Sequence, residues 1–136
     1  MKRFLKCILI ITCLFLSACA TKAGIREEFD RSVKAYNRLL RWHEHENAVM
    51  LYVDKDQQEA SLKQAQGFKA RGLSVTDFSM LTSQALTEKK TGEVVTEYDY
   101  YILPSNRIKT VTDRQHWVYQ EEIKSWKIKS GLPLFE

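Results

Sequence analysis

Apolar and polar positions divide the chain into three stretches of different period. The first is a block: Phe4 and Leu5, then Cys7-Ile8-Leu9-Ile10-Ile11-Thr12-Cys13-Leu14-Phe15-Leu16. The second is helical. Ile25, Phe29, Val33, Tyr36 and Leu40 recur at intervals of 4, 4, 3 and 4, with Arg26, Glu27, Asp30, Arg31, Lys34 and Arg41 on the other faces, which predicts an amphipathic helix. The apolar run Asn47-Ala48-Val49-Met50-Leu51-Tyr52-Val53 predicts a break near Asn47 and a short second helix. Asp54 or Asp56 offers an N-cap for a third helix over 57–70, with Leu62, Ala65 and Phe68 inward and Gly72 as its C-terminal stop.

Beyond Gly72 the period becomes two, and strands are predicted over 73–86, 93–103, 108–120 and 123–129. Turn-forming segments separate them: Glu88-Lys89-Lys90-Thr91-Gly92, Pro104-Ser105-Asn106-Arg107 and Glu121-Glu122. The expected class is α+β, with N-terminal helices packed on a curved antiparallel sheet of about four strands. A single domain over 25–130 follows, with 131–136 as a C-terminal tail.

Two-residue loops at Ser105-Asn106 and Glu121-Glu122 would fix the register. Ile102 would face Lys109, Tyr100 Val111, Tyr98 Asp113, Thr96 Gln115 and Val94 Trp117, while Trp117 would face Trp126. One face then holds Val94, Thr96, Tyr98, Tyr100, Ile102, Val111, Asp113, Gln115, Trp117, Tyr119, Trp126 and Ile128, the core side. The other holds Glu97, Asp99, Thr110, Thr112, Arg114, His116, Lys127 and Lys129, with Glu97 opposite Arg114 as a cross-strand ion pair. Glu-Glu is poor hairpin chemistry, so a longer loop and a slipped register stay open.

Asp113, Gln115, Thr96 and Tyr98 form a polar cluster on the inward face. A buried carboxylate is costly unless hydrogen-bonded, so the cluster is either a satisfied structural network or the wall of a pocket. In a pocket, a carboxylate beside phenols could serve as a general base with a raised pKa. His43-Glu44-His45-Glu46 invites a metal reading, but residues two apart on a helix point roughly 200° apart, so a solvated helix end is expected and no metal. His116 falls on the outer face opposite Val95 with no carboxylate partner. Trp42, Trp117 and Trp126 are read as core. There is no Gly-rich phosphate loop and no Gly-x-Ser-x-Gly, no catalytic residue is assigned, and no cofactor is implied.

The first stretch changes the meaning of the bulk composition. Lys2, Arg3 and Lys6 precede a ten-residue apolar core, about half the 20 residues a membrane-crossing helix needs, and Ser17-Ala18 follow: the plan of a secretory signal. Leu16-Ser17-Ala18-Cys19 resembles the lipobox of bacterial lipoproteins. That resemblance implies a signal over 1–18, cleavage before Cys19, diacylglycerol (typically palmitate-rich) on its sulfur and a lipidated tether over 19–24. Ala20 stands where an Asp would signal inner-membrane retention, which favours the outer membrane and a periplasm-facing domain. Loss of the signal lowers Lys+Arg from 21 to 18 against 17 Asp+Glu, so the basic balance belongs to export and a nucleic-acid partner loses its support. With Cys7 and Cys13 in the signal and Cys19 lipidated, no disulfide or thiolate metal site remains in the mature protein.

The element order, a long amphipathic helix, two shorter ones and a sheet ending in Trp126-Lys127-Ile128, resembles the nuclear transport factor 2-like, cystatin-type cone superfamily. The resemblance implies a sheet wrapped around the long helix, a pocket used by some members for isomerase or cyclase chemistry and by many for binding or assembly alone, and pairing through the outer sheet face. The functional expectation is a membrane-anchored, non-catalytic binding or assembly module with an envelope protein or a second copy as partner. The alternative is a small-molecule binder or enzyme using the pocket around Asp113.

Overall fold

In the computed structural model the described residues are Met1 and 21–136, so Cys19 and, apart from Met1, the expected export signal over 1–18 lie outside them. Three helices precede a four-stranded antiparallel meander of order β1-β2-β3-β4: α1 (Lys2–Arg41), α2 (His45–Tyr52), α3 (Lys55–Arg71), β1 (Leu73–Leu86), β2 (Thr91–Ile102), β3 (Lys109–Gln120) and β4 (Ser125–Ile128). The α+β class is as the periodicity predicts.

The stripe on α1 is the centre of the core. Phe29, Val33, Tyr36 and Leu40 are all buried, and each such side chain removed from water contributes on the order of 1.5–3 kcal/mol. Phe29 meets the Trp126 ring at 4.8 Å and Tyr36 meets Trp117 edge-on at 5.7 Å, the offset geometry aromatic quadrupoles favour. Of the tether expected over 19–24, residues 21–24 are described, and they are exposed and helical within α1.

The break between α1 and α2 falls at 42–44, earlier than Asn47, where His43 takes a left-handed φ of 63°. This turn leaves Trp42 65 % exposed, with Arg41 stacked over it, so Trp42 is not a core residue. Asp54 caps α3, its carboxylate accepting from the Asp56 amide at 3.1 Å, and Gly72 ends the helix in the left-handed region at φ 71°. Ser61, Ala65 and Phe68 are the buried face of α3; Leu62 is half-buried.

Both predicted hairpin loops are longer in the structure. Asn106 does not take positive φ, which a two-residue type I′ turn requires of both central residues, so 103–108 forms the connection and β2 meets β3 first at Tyr100 and Lys109. At the next turn 121–124 supplies four residues, closed by Lys124 at φ 49°. Each register is displaced by two residues: Thr96 faces Asp113, Val94 faces Gln115, and Trp117 faces Ile128 in place of Trp126. A shift of two keeps every side chain on its face, so the inward set stands although the named pairs do not. Glu97 faces Thr112 and Arg114 faces Val95, which removes the expected Glu97–Arg114 pair.

The segment 131–136 is no tail. Leu132 and Phe135 are buried, and the Phe135 ring packs on Phe68, Tyr98 and Tyr100 at 5.3, 5.8 and 4.9 Å. Its backbone is held by side chains: Gln64 donates to the Pro133 carbonyl, Arg71 to that of Phe135, and the Tyr100 hydroxyl to that of Glu136. The domain therefore runs to the last residue.

Candidate functional site

Strand alternation sends Thr96, Tyr98, Gln115 and Trp117 toward α1, and α1 meets them with Asn37, one turn beyond Val33. Asn37, Thr96, Tyr98 and Gln115 are all fully buried. The Asn37 amide donates to the Val33 carbonyl at 2.8 Å, leaving its side-chain oxygen to accept from the Tyr98 hydroxyl and from Gln115 Nε2 at 3.1 Å. Gln115 Nε2 also lies 2.9 Å from the Tyr98 hydroxyl and 3.4 Å from Thr96 Oγ1, and Gln115 Oε1 accepts from the Trp117 indole at 3.1 Å. Three of the four sequence-named residues are thus brought together in one hydrogen-bonded network. Asn37 is the one member of the network outside the sheet. Its signal was available, since 29, 33 and 37 share one face at a spacing of four.

Asp113 lies at the margin of this network. It is half-buried across from Thr96, and its Oδ2 is buried with no hydrogen-bond partner. Desolvation raises its pKa from 3.8 to about 6, with the Gln115 side chain pulling the other way. The Tyr36 hydroxyl is likewise buried without a partner, and its pKa is raised well above the phenolic value, first by burial and then by the Asp113 charge. Chemically these are a carboxyl able to change protonation near pH 6 and a phenol that stays protonated within reach of its charge. That could support proton transfer, provided a substrate can reach it.

His43 and His45 do not sit two apart on one helix. The turn at 42–44 separates them, with ring centroids 6.4 Å apart; His43 Nε2 lies 2.9 Å from Ser74 Oγ. His45 is buried, contrary to the solvated helix end expected, and both of its ring nitrogens lack a partner. Burial, and secondarily His43, lowers its pKa from 6.5 to about 4. Among the described residues no three His, Cys, Asp or Glu side chains are grouped to hold a metal ion. His116 does have a carboxylate partner: it faces Glu93 across the strands, and its Nδ1 contacts Glu93 Oε1. Among the described residues no helix is long and apolar enough to cross a membrane.

No family model matches the chain, and no curated protein matches it. Among solved structures it is similar to the intermembrane space region of the chloroplast protein ARC6, with a TM-score of 0.45 and 14 % identity, covering 80 % of this chain and 90 % of that one. A likeness at that level carries no argument about function.

Proposed function

We propose that this protein is a lipid-anchored component of a bacterial envelope, held to the outer membrane through Cys19, whose periplasm-facing domain is of the nuclear transport factor 2-like type and works as a non-catalytic binding or assembly module. The observation that carries the non-catalytic part is the filled interior. The residues that would line a catalytic cone are spent on one another: Asn37, Thr96, Tyr98 and Gln115 are fully buried and mutually bonded, with the Trp117 indole closing the set. The anchoring part rests on Leu16-Ser17-Ala18-Cys19 at the end of an apolar run, where several acyl chains at about 0.8 kcal/mol per buried CH₂ hold a protein to a bilayer.

Two experiments test the two halves. Cys19→Ser should give an unlipidated chain that leaves the membrane fraction, and unchanged fractionation would remove the anchor. Affinity capture of the full chain from detergent-solubilised envelope, repeated with a stoichiometry measurement on the purified protein, should return a defined protein partner or a homodimer.

The orphan Oδ2 of Asp113 favours a second reading, a small-molecule binder or enzyme at that carboxyl. Asp113→Asn distinguishes them. Partner binding should survive the substitution under the module reading; loss of a small-molecule activity at unchanged stability would establish the other.

A further inference from the structure

Two turns of the sheet and the start of α1 meet at one end of the molecule. In an antiparallel meander the β1–β2 and β3–β4 turns fall at the same end, and the β2–β3 connection falls at the other, roughly 35–40 Å away for a strand of the length of β2. The two near turns touch: the Tyr119 amide donates to the Lys90 carbonyl at 2.9 Å, and Lys90 pairs with Glu121. The start of α1 joins them. Lys22 Nζ lies 3.4 Å from Glu88 Oε1 in the β1–β2 turn, and the Trp126 indole of β4 donates to the Ile25 carbonyl at 3.0 Å. The last turn of α1 lies at the far end of the sheet, where Arg41 donates to the Val75 carbonyl.

Chain connectivity says what this end faces. Cys19 precedes Thr21 by two residues, and a backbone in any conformation covers at most ~3.6 Å per residue, so an anchor at Cys19 sits within about 7 Å of the start of the described helix. The two turns beside it carry exposed apolar side chains, Leu86 at 40 % and Ile123 at 56 % exposure, next to Lys89 and Lys124. Lysine stems lie along apolar surface while the ammonium stays in a polar layer, which suits the boundary between acyl chains and headgroups. Because Lys22 and Lys90 are paired with Glu88 and Glu121, this end carries little net charge, and its attraction to lipid is chiefly apolar.

We propose that this end of the domain is a membrane-seating surface: Leu86 and Ile123 enter the headgroup boundary of the bilayer that holds the Cys19 lipid, and Lys89 and Lys124 rest among its phosphates. The inference rests on the lipid-anchored reading and adds an orientation to it. The sheet and α1 stand upright on the bilayer, and the far end, where Trp42, Leu103 and Ile108 are exposed, is turned to water. Two inserted side chains set the orientation without replacing the lipid, so Cys19→Ser still releases the chain.

The test uses the mature lipidated protein in vesicles of phosphatidylethanolamine and phosphatidylcholine. The native cysteines are at 7, 13 and 19, so a cysteine introduced into the mature chain is its sole free thiol and can carry an environment-sensitive fluorophore. Dye on Leu86→Cys or Ile123→Cys should emit further to the blue than dye on Ile108→Cys or Trp42→Cys, although all four positions are exposed and apolar, and only the first two should be quenched by a nitroxide on the lipid chains. Co-flotation with the vesicles reports the anchor separately. Floated protein with water-like emission at 86 and 123, or with an equal membrane signal at 108 or 42, would overturn the seating surface while leaving the anchor in place. Failure to float would remove the anchor and the surface together.

Discussion

His45, buried, and Asp113, half-buried with one buried carboxyl oxygen, are ionisable side chains whose protonation preferences pull stability in opposite directions over the same pH range. The unfolded chain protonates His45 near 6.5, whereas the folded chain resists until about 4, so stability from this residue rises with pH between those values. Its full size is ~3 kcal/mol at most, at about 1.4 kcal/mol per pKa unit. Asp113 does the reverse. The folded chain keeps that proton up to about pH 6 while the unfolded chain releases it near 3.8, so stability from Asp113 falls as pH rises through the window. Urea unfolding between about pH 4 and about pH 6.5 should therefore show a shallow profile for the native sequence, a rising one for Asp113→Asn and a falling one for His45→Gln. A parent-like profile in both variants would mean that neither group is desolvated. Asn37→Ala should cost ~1–3 kcal/mol, because it removes the acceptor of the Tyr98 hydroxyl and one acceptor of the Gln115 amide among fully buried side chains.

Helix and strand positions were legible from period alone, and so was the inward face of the sheet, because Val94, Thr96, Tyr98, Gln115, Trp117, Trp126 and Ile128 alternate cleanly. Pair identities were not legible. They depend on the length of the loops at 103–108 and 121–124, and loop length leaves no periodic trace. The α1–α2 break was misplaced for a similar reason: a left-handed His43 is a tertiary outcome, with its ring tied to Ser74 on β1, and nothing in Trp-His-Glu-His-Glu announces it. Gly92 shows how an element contact can hide in a turn-like sequence. It reads as the end of a loop but lies in β2 under α1, where a Cβ would come within 2.3 Å of the Phe29 ring. Gly92→Ala should accordingly cost ~1–3 kcal/mol by overpacking, and Phe29→Leu in the same chain should recover part of that loss in a double-mutant cycle. Additive effects would show that the ring can move aside.

At the scale of the whole molecule, closure of the core depends on its last six residues. Leu132 and Phe135 are buried, the Phe135 ring bridging Phe68 of α3 and Tyr98 and Tyr100 of β2, and the side chains of Gln64, Arg71, Tyr100 and Lys109 hold the segment's backbone. Deleting 132–136 should lower stability by ~3–6 kcal/mol, the burial of two large apolar side chains, measured as a fall in denaturation midpoint; an unchanged midpoint would return the segment to the status of a tail. The apolar Leu-Pro-Leu-Phe composition hinted at this burial, but a short segment without period gives no direction to dock. Continuity of α1 has a mechanical consequence of its own. The helix that packs Phe29, Val33, Tyr36 and Leu40 starts its described course at Thr21, and β4 grips it at once through the Trp126 indole on the Ile25 carbonyl at 3.0 Å. A pull transmitted into α1 at Thr21 would reach that grip within about one helical turn. It would act as shear between α1 and the sheet, making the domain a stiff lever whose resistance to force is the strength of its own core.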